Sequence, residues 1–350
     1  MGFRFFRRMK IAPGVSLNFS KSGVSPSFGV RGAHVTLGRQ GVRKTVGIPG
    51  TGLFYTEVSG KTRKTGKGRS RDRAESPPSP PEPRHQLDLG FFERLFTPKA
   101  ERSFVDGCKA YVEGKNRKAS QELRAAAHLA DGAFLAGFLA MSDQRLDDAI
   151  WLLKQASAKH RTLGRHFDKY GLTVELVQPI TELVVAHIRP CRRGVLLGLA
   201  EAYQAQDRVR DALDCLQKLR REMPDDVVVN LSIAELLTEA YPHNKRLAKQ
   251  IVQLAGDVDN ESSIHAGLML YKAQALRTLG LYTAARDVLT PALRKTKNRD
   301  EELLRAIRYE RACVYENLGR ATRACREFEK LYAEDPSYED VEARLNMEGG

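Results

Sequence analysis

Two different hydrophobic patterns divide the chain, one near the N-terminus and one from about residue 100. Apolar and polar residues alternate within 15–19 and 33–37. Period-two alternation between glycines is typical of short strands joined by tight turns. Glycine recurs every nine residues, at Gly14, Gly23, Gly32, Gly41 and Gly50. The first segment is therefore predicted to be a small all-β, glycine-paced module of about five strands.

From about residue 100 the apolar positions follow a helical period, and separate stretches align on one 34-residue template. The aligned stretches are 100–133, 193–226, 266–299 and 305–338, with degenerate copies at 130–163 and 227–265. Small residues stand where two antiparallel helices must approach closely. We expect Gly280 and Gly319 to end first helices in the left-handed conformation. Pro224 and Pro336 are expected to follow second helices, since proline cannot continue a helix.

This pattern resembles the tetratricopeptide repeat over roughly residues 100–338. The resemblance implies an α-helical solenoid of helical hairpins, in which the first helix of each pair lines a concave face. Such a face binds a protein or peptide, whose identity the sequence does not indicate. The residues expected on it are Leu197, Glu201, Gln204, Leu270, Gln274, Arg277, Tyr309, Glu316 and Asn317.

Residues 164–192 break the helical register, because β-branched residues cluster at 173–177 and 183–188. One interpretation is an inserted extended segment or hairpin, and the other is a badly degenerate repeat. The predicted domains are a basic β module at 1–58, a basic and then proline-rich flexible linker at 59–88, and helical repeats at 89–345. Within the last of these, residues 89–97 are expected to form a short amphipathic helix that caps the solenoid.

The positive charge of the chain is concentrated at its N-terminal end. The net charge is +14, and residues 1–73 hold 16 Lys and Arg against two acids, so the remainder is balanced. This asymmetry predicts a polyanionic partner, either nucleic acid or an anionic membrane surface, with a merely solubilising surface as the alternative. The candidate contacts are Arg4, Arg7, Arg8, Lys10, Arg43, Lys44, Lys61, Arg63, Lys64 and Lys67.

Three phenylalanines, Phe3, Phe5 and Phe6, interleave with the first arginines. They could stack on bases, rest on a membrane surface or belong to an edge strand pinned to the core, and we favour the edge strand.

The opening of the chain also resembles a small bacterial domain of unknown function. The resemblance spans residues 1–57 and is carried by Pro13-Gly14, Asn18, Ser20-Lys21-Ser22-Gly23 and Pro49-Gly50-Thr51-Gly52-Leu53. It implies a bacterial origin and a β-rich architecture, and it brings no assigned activity.

The sequence contains no set of residues that would predict an enzyme active site or a metal site. Residues 1–56 contain no acid, which excludes the calcium sites of glycine-paced β-rolls. The interval between Gly60 and Gly66 does not fit a phosphate-binding loop. The histidines are scattered, and the acids and histidines of the repeats are expected to face solvent. We therefore expect no catalysis, no cofactor and no metal.

The five cysteines are expected to be reduced, because the chain shows neither a secretory signal nor an apolar run of bilayer length. Cys215, Cys313 and Cys325 lie next to packing positions and are expected to be buried. A cytoplasmic location is the expectation.

The leading hypothesis is an adaptor, in which the solenoid holds a protein while the basic module contacts a polyanion. The alternative is a nucleic-acid-binding protein whose solenoid serves for oligomerisation or spacing. A third hypothesis, an enzyme with its site in the insert at 164–192, has no supporting constellation.

Overall fold

The computed structural model describes six strand segments within residues 6–60 and residues 96–297 and 299–347, with side chains described only from residue 96 onward. The helices are α1 Lys99–Val112, α2 Asn116–Ala125, α3 Ala130–Ser142, α4 Leu146–Ala158, α5 Arg165–Lys169, α6 Arg192–Gln204, α7 Val209–Glu222, α8 Val227–Ala240, α9 Lys245–Ala255, α10 Ser263–Thr278, α11 Tyr282–Ala292, α12 Glu301–Asn317, α13 Ala321–Glu334 and α14 Val341–Met347.

The strands form a sheet in the order β6-β5-β4-β3-β2-β1-β7-β8. They are β1 Phe6–Ala12, β2 Val15–Ser20, β3 Gly23–Val30, β4 Ala33–Gly38, β5 Gly41–Gly47, β6 Phe54–Gly60, β7 Thr173–Pro179 and β8 Val185–Ile188. Strand β1 pairs antiparallel with β2 on one side and with β7 on the other, so that Arg8 stands opposite both Asn18 and Glu175. For Phe6 the edge position that we favoured is wrong, because β7 pairs with β1 on that side. Phe3 and Phe5 lie outside the described residues.

Strands β2 to β5 each begin at a periodic glycine or at the residue after it. Strand β6 ends at Gly60, beyond the predicted module end at residue 58. Most of the predicted linker at 59–88 and of the predicted short helix at 89–97 lies outside the described residues, which exclude 61–95.

Five pairs of consecutive long helices pack as hairpins, because small residues let their axes approach: α1 with α2, α3 with α4, α8 with α9, α10 with α11, and α12 with α13. A Cβ at Gly107 of α1 would lie only 2.7 Å from Leu123 Cγ of α2. The same distance separates a Cβ at Gly137 of α3 from Leu153 Cγ of α4. Both glycines occupy the eighth template position, so the spacing found in the sequence marks the closest approach of each pair.

The ends of the hairpin helices follow the predicted chemistry. Gly280 and Gly319 have φ of +77° and +67° directly after α10 and α12, as expected for C-terminal glycines. Pro224 and Pro336 stand shortly after α7 and α13. The start of α12 is capped by the Asp300 side chain, which accepts a hydrogen bond from Glu302 N, a contact worth about 1 kcal/mol.

The chain divides into two compact units. The first contains residues 1–178 and 187–199, and the second contains residues 179–186 and 200–350. In the first unit the core is built on aromatic side chains, with the rings of Phe134 and Phe138 4.9 Å apart in an edge-to-face arrangement. Edge-to-face pairs are a favoured geometry of buried rings.

The core of the second unit ends in the C-terminal helix α14. Val341 is fully buried against Phe328 and Leu331 of α13. The Arg344 guanidinium lies 5.8 Å above the Tyr309 ring and 5.5 Å above the Phe328 ring. Helix α14 thus covers the hairpin of α12 and α13.

Residues 164–192 contain the short helix α5 followed by the strands β7 and β8. Between β7 and β8 the chain turns tightly, with Ile180 N donating to Val184 O at 2.8 Å. Val184 is buried and lies against α10, since a Cβ at Gly267 would be 3.0 Å from its Cγ2. The turn of the insert therefore packs on a first helix of the second unit.

Candidate functional site

The candidate site is the layer formed by the first helices α8, α10 and α12 of the second unit, which we call the first-helix layer. Helix α10 contacts α8 on one side and α12 on the other. Residues three and four apart share a helix face, so only a narrow stripe of each helix escapes its neighbours. Polar side chains on those stripes determine what the layer can bind.

The sequence prediction is wrong for two residues of the binding face. Leu197 and Leu270 are only 1% and 2% exposed, respectively, and no partner can reach them. A first helix in a repeat array packs against its hairpin partner and against neighbours on both sides, so its apolar positions are consumed by the core. The template position alone does not reveal this, since a polar and an apolar residue fit it equally well.

The remaining assigned residues keep some access to solvent. Glu201 and Gln204 are half-buried near the end of α6. The others lie on α10 and α12, where Gln274, Arg277, Tyr309 and Glu316 are half-buried and Asn317 is exposed.

Arg277 joins two helices of the layer. Its Nε and Nη2 donate to the two carboxylate oxygens of Glu310, at 2.6 and 3.2 Å. Glu310 is 2% exposed, and burial raises its pKa although Arg277 opposes the rise. Arg277 therefore ties α10 to α12.

Tyr309 and Glu316 hold the C-terminal helix. The Tyr309 hydroxyl donates to Asp340 Oδ1 at 2.6 Å, and Arg344 of α14 forms an ion pair with Glu316. Burial is the main cause that raises the pKa of Tyr309. Within α12, Asn317 is the assigned residue with the most open surface.

Four glutamates form an acidic cluster next to the insert. They are Glu182 of the turn, Glu201 of α6, and Glu235 and Glu239 of α8. Glu235 is 3% exposed, and the Tyr271 hydroxyl donates to its Oε1 at a long 3.5 Å. Burial raises the pKa of Glu235 well above its ordinary value, and repulsion from the three other glutamates adds to the rise.

Burial likewise raises the pKa of Tyr271, and the acidic neighbours reinforce the effect. In the part of the chain that the structure describes, Glu235 has no basic partner. The cost of burying Glu235 is therefore not offset by a cation within the described residues.

The expectation that the acids of the repeats face solvent is wrong. Glu101, Asp131, Glu235 and Glu310 are all buried. Asp131 stands in the apolar helix α3 and accepts hydrogen bonds from Gly164 N at 2.6 Å and His166 N at 2.7 Å. It therefore caps the start of α5. The one signal in the sequence is an acid inside an otherwise apolar helix, which implies a specific partner.

The cysteines follow the expectation only in part. Cys215 and Cys313 are buried, whereas Cys325 is half-buried. Burial raises the pKa of Cys313 to about 11, so its thiol stays protonated at neutral pH.

Of the predicted polyanion contacts, Arg7, Arg8 and Lys10 lie in β1, and Arg43 and Lys44 lie in β5. Lys44 stands opposite Glu57 in the register of β5 and β6. The other candidates, Arg4, Lys61, Arg63, Lys64 and Lys67, lie outside the described residues.

Within the residues that the structure describes, no group of three or more His, Cys, Asp or Glu side chains is placed so that it could hold a metal ion. Among the described helices, none has the length and apolar character needed to cross a bilayer.

The comparison with known families agrees with the helical geometry. Residues 195–226, which span most of α6 and all of α7, match the family model of the tetratricopeptide repeat. The helical part of the chain is an α-helical solenoid, and one of its helical hairpins resembles the tetratricopeptide repeat. Residues 3–56 match the model of a protein family of unknown function, DUF4236. No curated protein matches the sequence.

Solved structures share the fold at low sequence identity. The N-terminal domain of the EccA1 ATPase from the ESX-1 secretion system of Mycobacterium tuberculosis is 15% identical, with a TM-score of 0.51 over 71% of this chain and 88% of that domain. TTC0263, a thermophilic tetratricopeptide-repeat protein of Thermus thermophilus, is 18% identical, with a TM-score of 0.39 over 62% of this chain and 97% of its own. The first of these likenesses supports the repeat fold and says nothing about a ligand.

Proposed function

We propose that this chain is a non-catalytic protein-binding scaffold that holds its partner on the first-helix layer. Tetratricopeptide-type folds are typically protein-interaction scaffolds. The observation that supports this role best is the acidic cluster around Glu235, whose buried carboxylate has no cation to neutralise it among the described residues.

An unpaired buried carboxylate lowers the stability of the fold, because ionisation away from water is costly. A partner that brings a positive group to the exposed Glu239 would lower this cost, because it weakens the repulsion between Glu239 and the buried Glu235. The cluster lies beside the turn of the insert, so the insert would form one wall of the binding surface. Of the assigned residues, we propose Gln274 and Asn317 of the layer as contacts, together with Glu201 and Gln204 at the end of α6.

Site-specific photo-crosslinking with the full chain tests the scaffold proposal. Benzoyl-phenylalanine replaces Glu239, which is exposed on α8, and in the control it replaces Gln253, which is exposed on the second helix α9. Irradiation in a lysate of the source cells is expected to give a discrete protein adduct at position 239 and none at position 253. Adducts of equal yield at both positions, or at neither, would contradict a partner on the first-helix layer.

We also propose that residues 1–58 form a basic β module which, together with the basic linker, contacts a polyanion in the bacterial cytoplasm. The support is the concentration of the +14 net charge in residues 1–73. A contact of this kind releases counterions, so affinity should fall steeply with salt and hardly depend on sequence.

Filter binding and vesicle sedimentation with the full chain distinguish the two polyanions. The matched variant replaces Lys61, Arg63, Lys64 and Lys67 with glutamine. A steep salt slope with DNA that flattens in the variant would support nucleic acid, and retention on anionic but not neutral vesicles would support a membrane surface. If the chain binds neither DNA nor anionic vesicles, its positive charge serves only to keep it in solution. Nucleic-acid binding without a crosslink at position 239 would favour the alternative, in which the solenoid serves for oligomerisation or spacing.

A further inference from the structure

Helix α5, which opens the insert, is held at both ends by buried acids of the repeat helices. Asp131 of α3 accepts two hydrogen bonds from backbone N–H groups at its start. Glu101 of α1 accepts hydrogen bonds at its end, from Lys169 Nζ and, at 2.8 Å, from the Tyr170 hydroxyl. A buried acid is tolerated where hydrogen bonds satisfy it. The two acids therefore fix the position of α5 on the repeats.

An aromatic contact anchors the same segment. Phe167 of α5 is buried, and its ring lies 5.3 Å from the ring of Phe104 in α1 in an edge-to-face arrangement. Leu172, which follows α5, is also buried and donates its N–H to Phe167 O at 2.8 Å. The segment that leads into β7 is therefore packed on the repeat helices, which set the direction of the strand.

Strand β7 is tied to the repeats at its far end as well. Val174, Leu176 and Gln178 are buried, the period of two that a strand with one covered face shows. The Gln178 Nε2 donates to Leu197 O of α6 at 3.1 Å. The repeat helices thus hold β7 at its start and at its end.

One edge of β7 carries the first strand of the N-terminal module. Five residue pairs join β7 to β1, from Phe6 opposite Val177 to Lys10 opposite Thr173. Strands β2 to β6 continue on the far side of β1, so β1 is the module strand that meets the insert. Antiparallel main-chain pairing of this kind is how an extended segment adds to the edge of a sheet.

The covalent connection does not impose this contact. Residues 61–95 separate β6 from the first described residues of the helical part, and a segment of that length can span up to about 115 Å. A tether of this reach allows the module many positions. The pairing with β7 therefore has to select one of them.

Charge gives the pairing its selectivity. Strand β1 carries Arg7, Arg8 and Lys10 and no acid, whereas the one charged residue of β7 is Glu175. The register sets Arg8 directly opposite Glu175. Opposite charges at directly opposed positions favour a strand pair, and a slip by one residue would remove this match.

We propose that residues 164–178 of the insert are a docking site for the chain's own N-terminal module. Strand β7, held by the repeats, receives β1 by strand addition, and the opposition of Arg8 and Glu175 sets the register. The insert thereby joins the basic module to the repeats without a covalent bond. This role goes beyond the proposed binding functions and depends on neither ligand.

Cleavage of the folded full chain between the module and the repeats tests the docking. A recognition sequence for a site-specific protease is inserted between Glu75 and Ser76, and diffusion NMR follows both fragments of the cleaved protein. The dilution series starts at about 1 mM, the effective concentration that a tether supplies. The N-terminal fragment is expected to diffuse with the helical fragment and to separate on dilution, which gives a Kd. Independent diffusion at every concentration would overturn the proposal.

Charge variants of the cleaved chain test the register. Glu175→Lys should weaken the association about tenfold, because repulsion replaces attraction opposite Arg8. Arg8→Glu should do the same. The double variant Arg8→Glu with Glu175→Lys restores opposite charges and should return to within about threefold of the parent. Asp257→Lys makes a matched charge change at an exposed position after α9 and should leave the Kd unchanged.

Two results would refute the docking site as proposed. One is an equal Kd for the parent and both single variants, and the other is a loss in both single variants that the double variant does not recover. If one single variant does not fold, the other single variant and the double variant still decide, since each carries its own expected Kd.

Discussion

The contact between α8 and α10 buries Glu235, and the contact between α10 and α12 buries Glu310. Of these two, only Glu310 is paired with a cation among the described residues. Glu310 lies between α10 and α12 with both oxygens hydrogen-bonded by Arg277. Glu235 lies between α8 and α10 with one long hydrogen bond from Tyr271 and three acidic neighbours that raise its pKa further.

The difference shows which contact stabilises the fold and which carries an electrostatic cost. A buried ion pair offsets the cost of desolvation when its hydrogen bonds are good, and the pair of Glu310 has two. For Glu235, the free-energy cost of burying a carboxylate is not offset by such a pair among the described residues. Since neighbouring contacts in one repeat array are otherwise alike, an uncompensated charge in only one of them points to a requirement other than folding.

The largest effect is expected from Arg277→Ala. Removing the guanidinium leaves Glu310 buried and unpaired, which typically costs about 3–5 kcal/mol. Because the Arg277 side chain is 40% exposed, water already screens the pair, and we expect a loss of about 2 kcal/mol.

Urea unfolding at pH 7 measures the change, with Arg220→Ala at an exposed position of α7 as the control near zero. The double variant with Glu310→Gln should recover most of the loss. A loss below about 0.5 kcal/mol for Arg277→Ala would mean that the two glutamates do not differ as described.

The opposite sign is expected for Glu235→Gln. Glutamine keeps the shape and loses the charge, so the variant should be more stable than the parent by about 1 kcal/mol at pH 8. Since the folded pKa of Glu235 is raised, the folded state binds its proton more tightly than the unfolded state does. Stability from this group is therefore full below its ordinary pKa and is lost as pH rises through the folded pKa.

The stabilisation by Glu235→Gln should accordingly grow between pH 5 and pH 8 and vanish near pH 4. Melting temperatures of parent and variant across this range test the trend. Glu301→Gln at an exposed position of α12 is the matched control. A destabilised variant at pH 8 would show that Glu235 has a compensating partner after all.

The sequence predicted the repeat architecture well, because it is set by local rules. The spacing of small residues located the close approaches at Gly107 and Gly137, and Gly280 ended its helix as expected. The β-branched run at 173–177 correctly indicated a strand. The pairing of β7 with β1 joins residues far apart in the chain, and no local pattern could predict it.

The candidate site was predicted less well, because it depends on contacts between repeats. Gln274 was assigned to the binding face by its template position, but nothing in the sequence shows that its Oε1 is orphaned. Glu235 was missed altogether. Its sequence signal is an acid within the apolar run of α8, the same signal that Asp131 gives in α3. A charge inside an apolar helix is thus the feature to search for in related chains.

The smallest effect is expected from Glu239→Gln. This variant tests whether repulsion from Glu239 contributes to the difference between Glu235 and Glu310. Glu239 is exposed, and its charge acts on Glu235 chiefly through repulsion across one turn of α8. Like charges at this spacing on a helix cost about 0.2–0.5 kcal/mol, so the variant should gain only a few tenths at pH 8. In a double variant with Glu235→Gln the gain should become smaller but remain, because burial and Glu182 still raise the pKa of Glu239. A double-mutant cycle with urea unfolding measures the coupling between the two positions. If the gain is the same in both backgrounds, Glu239 and Glu235 do not repel each other measurably and the acidic cluster does not behave as one electrostatic unit.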